Sequence, residues 1–482
     1  MALTKATNSM ITGAQINIKD FESLSLGGTD WQPAIQAAID SLDTGGDTTT
    51  GGVIYFPVGR YYIKSPIIVR CANAANLASI TLQGEGMHNT VIDCAAGFVG
   101  NEDDPAQWQA IQSLDSTYCV YKDFHVLGNN RVAYGLELEA GGSEVFVERV
   151  FCQNFTVSCF YVHRCFMVTM TQCRSKGGVT GFDFSGDYNT SLNVSNCYAL
   201  NTNAAGQGFL INDVAYSNFT ACGADTTGRY GYRVSNTMGV NFDNCGAEES
   251  TRASWYFEAS PALDTAATIV SGTRCTLNGC VSVSADSEGG YGSIYSNNVA
   301  ATGGETLSSI NVEINRFVEH TVDNGYSVAN TGVDLNQKVS LNGCKFTGQI
   351  ISTVAVINPV NVTRKNNVSI TGANTPVVDL ASVFGSANTY SGVLHIVASN
   401  AVPTDLNVVN IAAYVLLVTR TAGSATIVEI AKNGLTTGGS ATQPSFTWAI
   451  DTGTNELEAS PVGSTSGNFY FYIGQLGALS TS

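Results

Sequence analysis

Through the middle of the chain, apolar and polar residues alternate in short runs that recur at a nearly constant interval. Val145-Phe146-Val147-Glu148-Arg149-Val150-Phe151-Cys152 is followed by Val168-Thr169-Met170-Thr171-Gln172-Cys173 and by Leu192-Asn193-Val194-Ser195-Asn196-Cys197. Ser217-Asn218-Phe219-Thr220-Ala221-Cys222 and Val240-Asn241-Phe242-Asp243-Asn244-Cys245 continue the series. The closing cysteines stand 21, 24, 25 and 23 residues apart, and related copies end at Cys280 and Cys344. A second set of runs interleaves with them: Gly181-Phe182-Asp183-Phe184, Gly208-Phe209-Leu210-Ile211, Gly231-Tyr232-Arg233-Val234 and Trp255-Tyr256-Phe257. A period of two predicts half-buried strands, and the Gly, Asn, Ser and Asp between them predict turns. Two or three strands per repeat predict a solenoid of stacked β-coils, a parallel β-helix. Coils about 4.8 Å apart turn equivalent positions into ladders along the axis. Inward rungs then hold Val, Ile, Leu, Phe and the small apolar cysteines, which read as packing residues rather than reactive ones.

Both ends of the solenoid have their own pattern. Asp30 as N-cap, with apolar Trp31, Ile35, Ala38, Ile39 and Leu42, predicts an amphipathic helix that closes one end. A Gly/Thr-rich loop leads from it to a strand, turn and strand over Val53–Ile63. Beyond residue 350 the cysteine-marked interval is lost, and runs at 393–397, 408–418, 425–430, 445–450 and 468–473 predict an antiparallel β-sandwich. The expected fold is all-β: a leader over residues 1–28, a right-handed parallel β-helix with its capping helix over 29–360, and a C-terminal β-sandwich over 361–482.

Composition narrows the function classes. Only 13% of the 482 residues are charged, against roughly 25% in ordinary soluble domains, while 50 are Gly. Few Lys and Glu among many Gly, Ser, Thr and Asn argue against a helical protein. A hydrophobic share of 44% with only 10 Pro argues against disorder. The net charge of −17 argues against nucleic acid or an anionic membrane as partner, since both are polyanions. No apolar run is long enough to span a membrane, and the opening residues lack the apolar core of a signal peptide. Folding in a cytoplasm is expected, with the 13 cysteines as reduced thiols. No CxxC pair occurs and the five histidines, at 88, 125, 163, 320 and 395, are scattered, so neither a metal nor another cofactor is expected.

Two coils align almost without gaps: Cys222 to Val234 and Cys245 to Phe257. The alignment sets Asp225 on Glu248, Arg229 on Arg252 and Tyr232 on Trp255. Stacked carboxylates repel, so one holds its proton more tightly. One neutral acid and one carboxylate are the pair that glycoside hydrolysis uses, with retention or inversion set by a separation that backbone spacing leaves open. Asp225 and Glu248 are therefore candidate catalytic residues, with Glu249 as a substitute for Glu248. Asp183, Asp187, Asp213 and Glu258 are further candidates on or just after the alternating strands. Arg229, Arg233 and Arg252 are candidates for binding acidic sugars, and Tyr230, Tyr232, Trp255 and Tyr256 for stacking on sugar rings. The competing reading is a solvated turn in which each arginine only neutralises the adjacent acid.

The run from Asp30 through the helix to Gly52-Val53-Ile54-Tyr55-Phe56-Pro57-Val58-Gly59-Arg60-Tyr61 resembles the opening of pectate-lyase-like β-helix proteins. In particular it resembles the version found in bacteriophage tailspikes that depolymerise capsular or O-antigen polysaccharides. Leu3 to Thr7, Met10 to Ala14 and Ile18 to Phe21 resemble the short leader of such spikes. Glu22-Ser23-Leu24-Ser25-Leu26-Gly27-Gly28 departs from the family, where a Gly-Ala step is commoner. The resemblance implies a homotrimer in the virion tail, made in the host cytoplasm and docked to another tail protein through its leader. It further implies a bacterial surface polysaccharide as substrate, and a sandwich used for trimerisation or carbohydrate binding. In such a trimer Glu137 and Glu139 would face solvent at the trimer surface, and His163 would be structural. A polysaccharide lyase, with an arginine neutralising a uronate and Tyr232 or Tyr256 as base, and a non-cleaving adhesin are the alternatives.

Overall fold

A computed structural model describes residues 15–42, 51–70, 79–101, 103–104, 108–114, 117–139, 144–186, 188–259, 273–289, 291–298 and 310–321. Further along it describes 326–332, 337–342, 344, 349–352, 356–358, 362–370, 375–380, 389–399, 410–421, 424–436, 445–451, 456–462 and 467–478. The expected leader up to residue 14, and Asp187, lie outside the described residues. The chain divides into two compact units, residues 1–329 with 344–350, and residues 330–343 with 351–482.

The first unit is a parallel β-helix. Among the described residues its strands pair in parallel, each with its counterpart one coil on, and the pairings run in three stacks, the three sheets of the coil. A first sheet runs through Thr169–Thr171, Asn193–Ser195 and Asn218–Thr220. A second runs through Arg174–Lys176, Tyr198–Leu200, Gly223–Asp225, Gly246–Glu248 and Val281–Val283. A third runs through Tyr134–Glu139, Ser158–His163, Thr180–Phe184, the start of Gln207–Ala215, the start of Tyr230–Asp243, and Trp255–Ala259.

From Arg149 onward, one left-handed residue makes the corner between the first two sheets in successive coils. Gln172, Asn196, Ala221 and Asn244 all have φ between 51° and 54°, and Gly279 has φ 61°. Each donates its N–H to the next coil, as Asn196 does to the Thr220 carbonyl at 2.9 Å. The cysteine follows the corner, points inward and is buried at Cys173, Cys197, Cys222, Cys245 and Cys280. Cys152 does not belong to that ladder. It pairs with Ser175, two residues past Cys173, because the corner of its coil is Arg149, with φ 50°. Every described cysteine is a free thiol, and burial pushes Cys159 up to about 12.

The core of the third sheet is a stack of rings. Phe160, Phe182, Phe209, Tyr232 and Trp255 follow one another with centroids 4.7, 4.8, 4.8 and 4.0 Å apart, all nearly parallel and fully buried. The glycines ahead of these rings are forced by close approach. A Cβ on Gly208 would stand 2.6 Å from the Ala224 Cβ and 2.8 Å from the Gly231 carbonyl.

The helix Gln32–Asp40 buries Ala34, Ile35, Ala38 and Ile39. Asp30 receives the Gln32 N–H at 3.1 Å and the Lys64 N–H at 3.2 Å. Gln36 bonds both the N–H and the C=O of Ile68, each at 3.0 Å, which covers polar groups of a strand edge. In the second unit, antiparallel strands form a five-stranded sheet and a three-stranded sheet. Leu394, Ile396, Tyr414, Leu416 and Val418 from one pack with Val377, Phe446, Leu457 and Ala459 from the other, a sandwich core. No helix among the described residues is long and apolar enough to cross a membrane.

Candidate active site

In a strand, residues two apart share a face, so the residues between the inward rings of the third sheet point outward. Register then builds an outward ladder of Glu137, Tyr161, Asp183, Leu210, Arg233 and Tyr256. Asp183 is its most unusual member. The carboxyl is only 7% exposed although it lies on the outward side. Ser158 donates to one oxygen at 2.8 Å and Ser185 to the other at 2.5 Å. Burial outweighs these bonds and the favourable charges of His163 and Arg233, so the carboxyl holds its proton above the ordinary aspartate range. Tyr134 and Tyr161 stack at 4.8 Å, and Tyr161 stacks on His163 at 4.4 Å. Burial, and then the charges of Asp183 and Glu137, push the Tyr134 hydroxyl up.

On the C-terminal side, Arg233 donates to one oxygen of Glu258 through Nε at 3.1 Å and Nη2 at 2.8 Å. The same guanidinium acts electrostatically on Asp183. Of the residues singled out in the sequence, Asp183, Arg233, Tyr256 and Glu258 thus meet on one sheet. A buried acid with a tightened hold on its proton and a carboxyl clamped by a guanidinium thus share one outward face, three coils apart.

The remaining candidates lie elsewhere. Asp225 and Glu248 are register partners, but on the second sheet. Glu248 and Glu249 are exposed, and Asp225 is held by the Tyr198 hydroxyl at 2.9 Å and by Thr226 at 2.8 Å. A cleft of about 540 Å³ opens on the second sheet, with Arg174, Lys176 and Tyr198 in its wall. Asp213 sits half-buried at a left-handed residue and is bonded by Asn212 at 2.8 Å. Arg229 is exposed on the turn before the third sheet, and its carbonyl receives the Arg252 N–H at 2.9 Å. The Arg252 side chain pairs with Glu288 at 2.6 Å and lies over Tyr291.

Four expected sugar contacts are corrected by burial. Tyr232 and Trp255 belong to the inward ring stack and are fully buried, so neither presents a face to a ligand. Tyr256 points outward, but its ring is stacked between Tyr230 at 4.5 Å and Tyr295 at 5.3 Å and is only 6% exposed. Tyr230 is covered in the same cluster. Glu137 is corrected as well: it is 4% exposed rather than solvent-facing, and His163 Nε2 lies 3.2 Å from its Oε1. Glu137, Glu139 and His163 bring their ligand atoms within 4.8 Å of one another, a grouping that scattered histidine positions concealed. Reading the outward register across three coils, rather than two, would have found Glu137 and Tyr161 beside Asp183.

Residues 15–256 match the family model described as rhamnogalacturonase A/epimerase, pectate lyase-like. Over 85 residues the chain is 34% identical to the mannuronan C5-epimerase AlgE3 of Azotobacter vinelandii, a match spanning 18% of this chain and 4% of that protein. Among solved structures, the enzymatically active domain of tailspike protein 2 from bacteriophage CBA120 superposes with TM-score 0.52 and 11% identity, over 97% of this chain and 81% of that one. The full-length tailspike protein 2 from the Escherichia coli O157:H7 bacteriophage superposes with TM-score 0.50 and 10% identity, over 95% and 71%.

Proposed function

We propose, for a chain that belongs to the pectate-lyase-like rhamnogalacturonase A/epimerase family, that it is a phage tailspike depolymerase that cleaves a bacterial surface polysaccharide by glycoside hydrolysis. The observation that carries this reading is the Asp183 carboxyl on the outward face of the third sheet, whose burial raises its hold on a proton. The tailspike-like opening of the sequence and a fold shared with tailspike protein 2 support the setting. Asp183 donates its proton to the glycosidic oxygen as the bond to the anomeric carbon breaks. Glu258 takes a proton from the water that attacks that carbon. Arg233 fixes Glu258 in place by donating to its Oε2. The working form is a homotrimer attached to the virion tail through the leader, with the C-terminal sandwich serving trimerisation or glycan binding.

The test is digestion of a panel of purified capsules, followed by chain-length analysis and mass analysis of the products. Asp183→Asn and Glu258→Gln should each abolish shortening of the cleaved polymer while the protein stays folded. Full activity in both variants would overturn the site. Binding without shortening by the unaltered protein would make it an adhesin. The similarity to an enzyme acting on mannuronan favours one second reading, β-elimination on a uronate polymer. That reading needs His163 or Tyr161 as base, since Tyr232 is buried, and it predicts products with the ultraviolet absorbance of a new double bond.

A further inference from the structure

We infer that Glu137, Glu139 and His163 form a binding site for one divalent transition-metal ion, of the Zn²⁺ or Mn²⁺ kind, on the outward face of the third sheet. The site is built by register. Glu137 and Glu139 are two apart on one strand and so share its outward face. The next coil sets Tyr161 beside Glu137 and His163 beside Glu139. His163 reaches diagonally, so that its Nε2 stands 3.2 Å from Glu137 Oε1. Metal bonds of about 2.0–2.2 Å put neighbouring ligands roughly 3 Å apart, so that pair already has the edge length of a coordination polyhedron. The three ligand atoms lie within 4.8 Å of one another, and ligands opposite each other across a metal stand about 4.2 Å apart. A small swing of the half-buried Glu139 closes the difference.

The second, independent observation is Glu137 Oε2. It is buried, on a residue 4% exposed, and has no hydrogen-bond partner. A buried carboxylate oxygen left bare is costly, whereas a cation supplies the missing charge. The surroundings fix the ligands. Gln112 donates to Glu139 Oε2 at 3.0 Å, and the Tyr161 ring lies flat on the His163 ring at 4.4 Å. Orienting partners of this kind are usual around metal ligands. The imidazole suits Zn²⁺ and the two carboxylates suit Mn²⁺, whereas Ca²⁺ takes six to eight oxygens, more than these residues offer. The outward positions go to water.

The experiment uses the full-length protein, stripped with chelator and dialysed. It is titrated by calorimetry with Zn²⁺, Mn²⁺, Ca²⁺ and Mg²⁺, and bound metal is measured after gel filtration. One Zn²⁺ or Mn²⁺ per chain is expected, with a melting temperature that rises with metal concentration. Glu137→Gln and His163→Ala should each weaken binding by more than about 100-fold, beyond the loss of a merely orienting partner. Glu139→Gln, at a half-buried position, guards against a variant that fails to fold. Uptake of no transition metal, uptake of Ca²⁺ alone, or Zn²⁺ binding that survives in all three variants would overturn the site. Capsule cleavage is read separately, so failure here leaves the hydrolase reading standing.

Discussion

At the scale of single residues, the decisive quantity is the cost of ionising Asp183. A carboxyl raised in the folded state binds its proton more tightly than in the unfolded chain. Between the unfolded pKa, near 3.9, and the higher folded value, the native state holds more protons. Stability therefore falls as pH rises through that window, and the loss is complete above the folded value. Asp183→Asn removes this burden while keeping shape and hydrogen-bonding capacity. We expect it to lower cleavage by about 10²–10⁴-fold, the usual worth of a positioned acid. The same variant should melt higher than the parent at neutral pH, with the advantage vanishing near pH 4. A pH series of thermal melts checks the sign; equal melting temperatures at neutral pH would show that the carboxyl carries no burial cost. The chemistry of this residue was only half legible in the sequence. The alternation at Gly181-Phe182-Asp183-Phe184 puts Asp183 on the outward side, but its seat is made by Ser158, 25 residues earlier. Asp225 and Glu248 stood out because they are adjacent in register, but Glu248 is exposed and Asp225 is held by Tyr198 and Thr226. Asp225→Asn is therefore expected to leave most activity intact, and a collapse of turnover in that variant would move the site to the second sheet.

At the scale of elements, successive coils repeat a left-handed corner between the first two sheets and an inward ring on the third. The corner residues were visible as the Gln, Asn and Ala before each cysteine, and the structure shows why they recur: all are left-handed. Alanine is the poor choice among them, since it lacks the short polar side chain whose local hydrogen bonds let Asn tolerate a conformation that costs roughly 1 kcal/mol. Ala221 is exposed, so Ala221→Asn should stabilise by about that amount in chemical denaturation, matching its neighbours Asn196 and Asn244. The ring stack answers in the opposite sense. Phe209 lies between Phe182 and Tyr232, and Phe209→Ala should cost about 3–5 kcal/mol by opening a cavity that flanking coils cannot close. A loss under about 1 kcal/mol would mean the stack collapses into the gap. The same stack explains a misreading. Tyr232 and Trp255 carry polar edges and sit beside arginines, which suggested a sugar platform. Their alignment with Phe182 and Phe209 decides their direction, because neighbouring coils share parity.

At the scale of the whole molecule, a net charge of −17 surrounds a site meant to meet a polymer. If the substrate is an acidic capsule, long-range repulsion slows encounter. Cleavage at low substrate should then speed up as ionic strength rises from about 0.01 M to 0.15 M, where the screening length shrinks from about 30 Å to 8 Å. A neutral capsule should show no such rise, so initial rates over a salt series sort the two. Sedimentation of the full chain checks the expected trimer.

The stacked thiols carry one more consequence. From Cys173 to Cys280 nearly every coil holds one sulfur, buried and unreactive while the coil is closed. Each is therefore a clock for the opening of its own stretch of solenoid. Pulse alkylation followed by peptide mapping would time fraying coil by coil. It would show whether the molecule opens from one end like a zipper or at once along its length, and no label need be introduced.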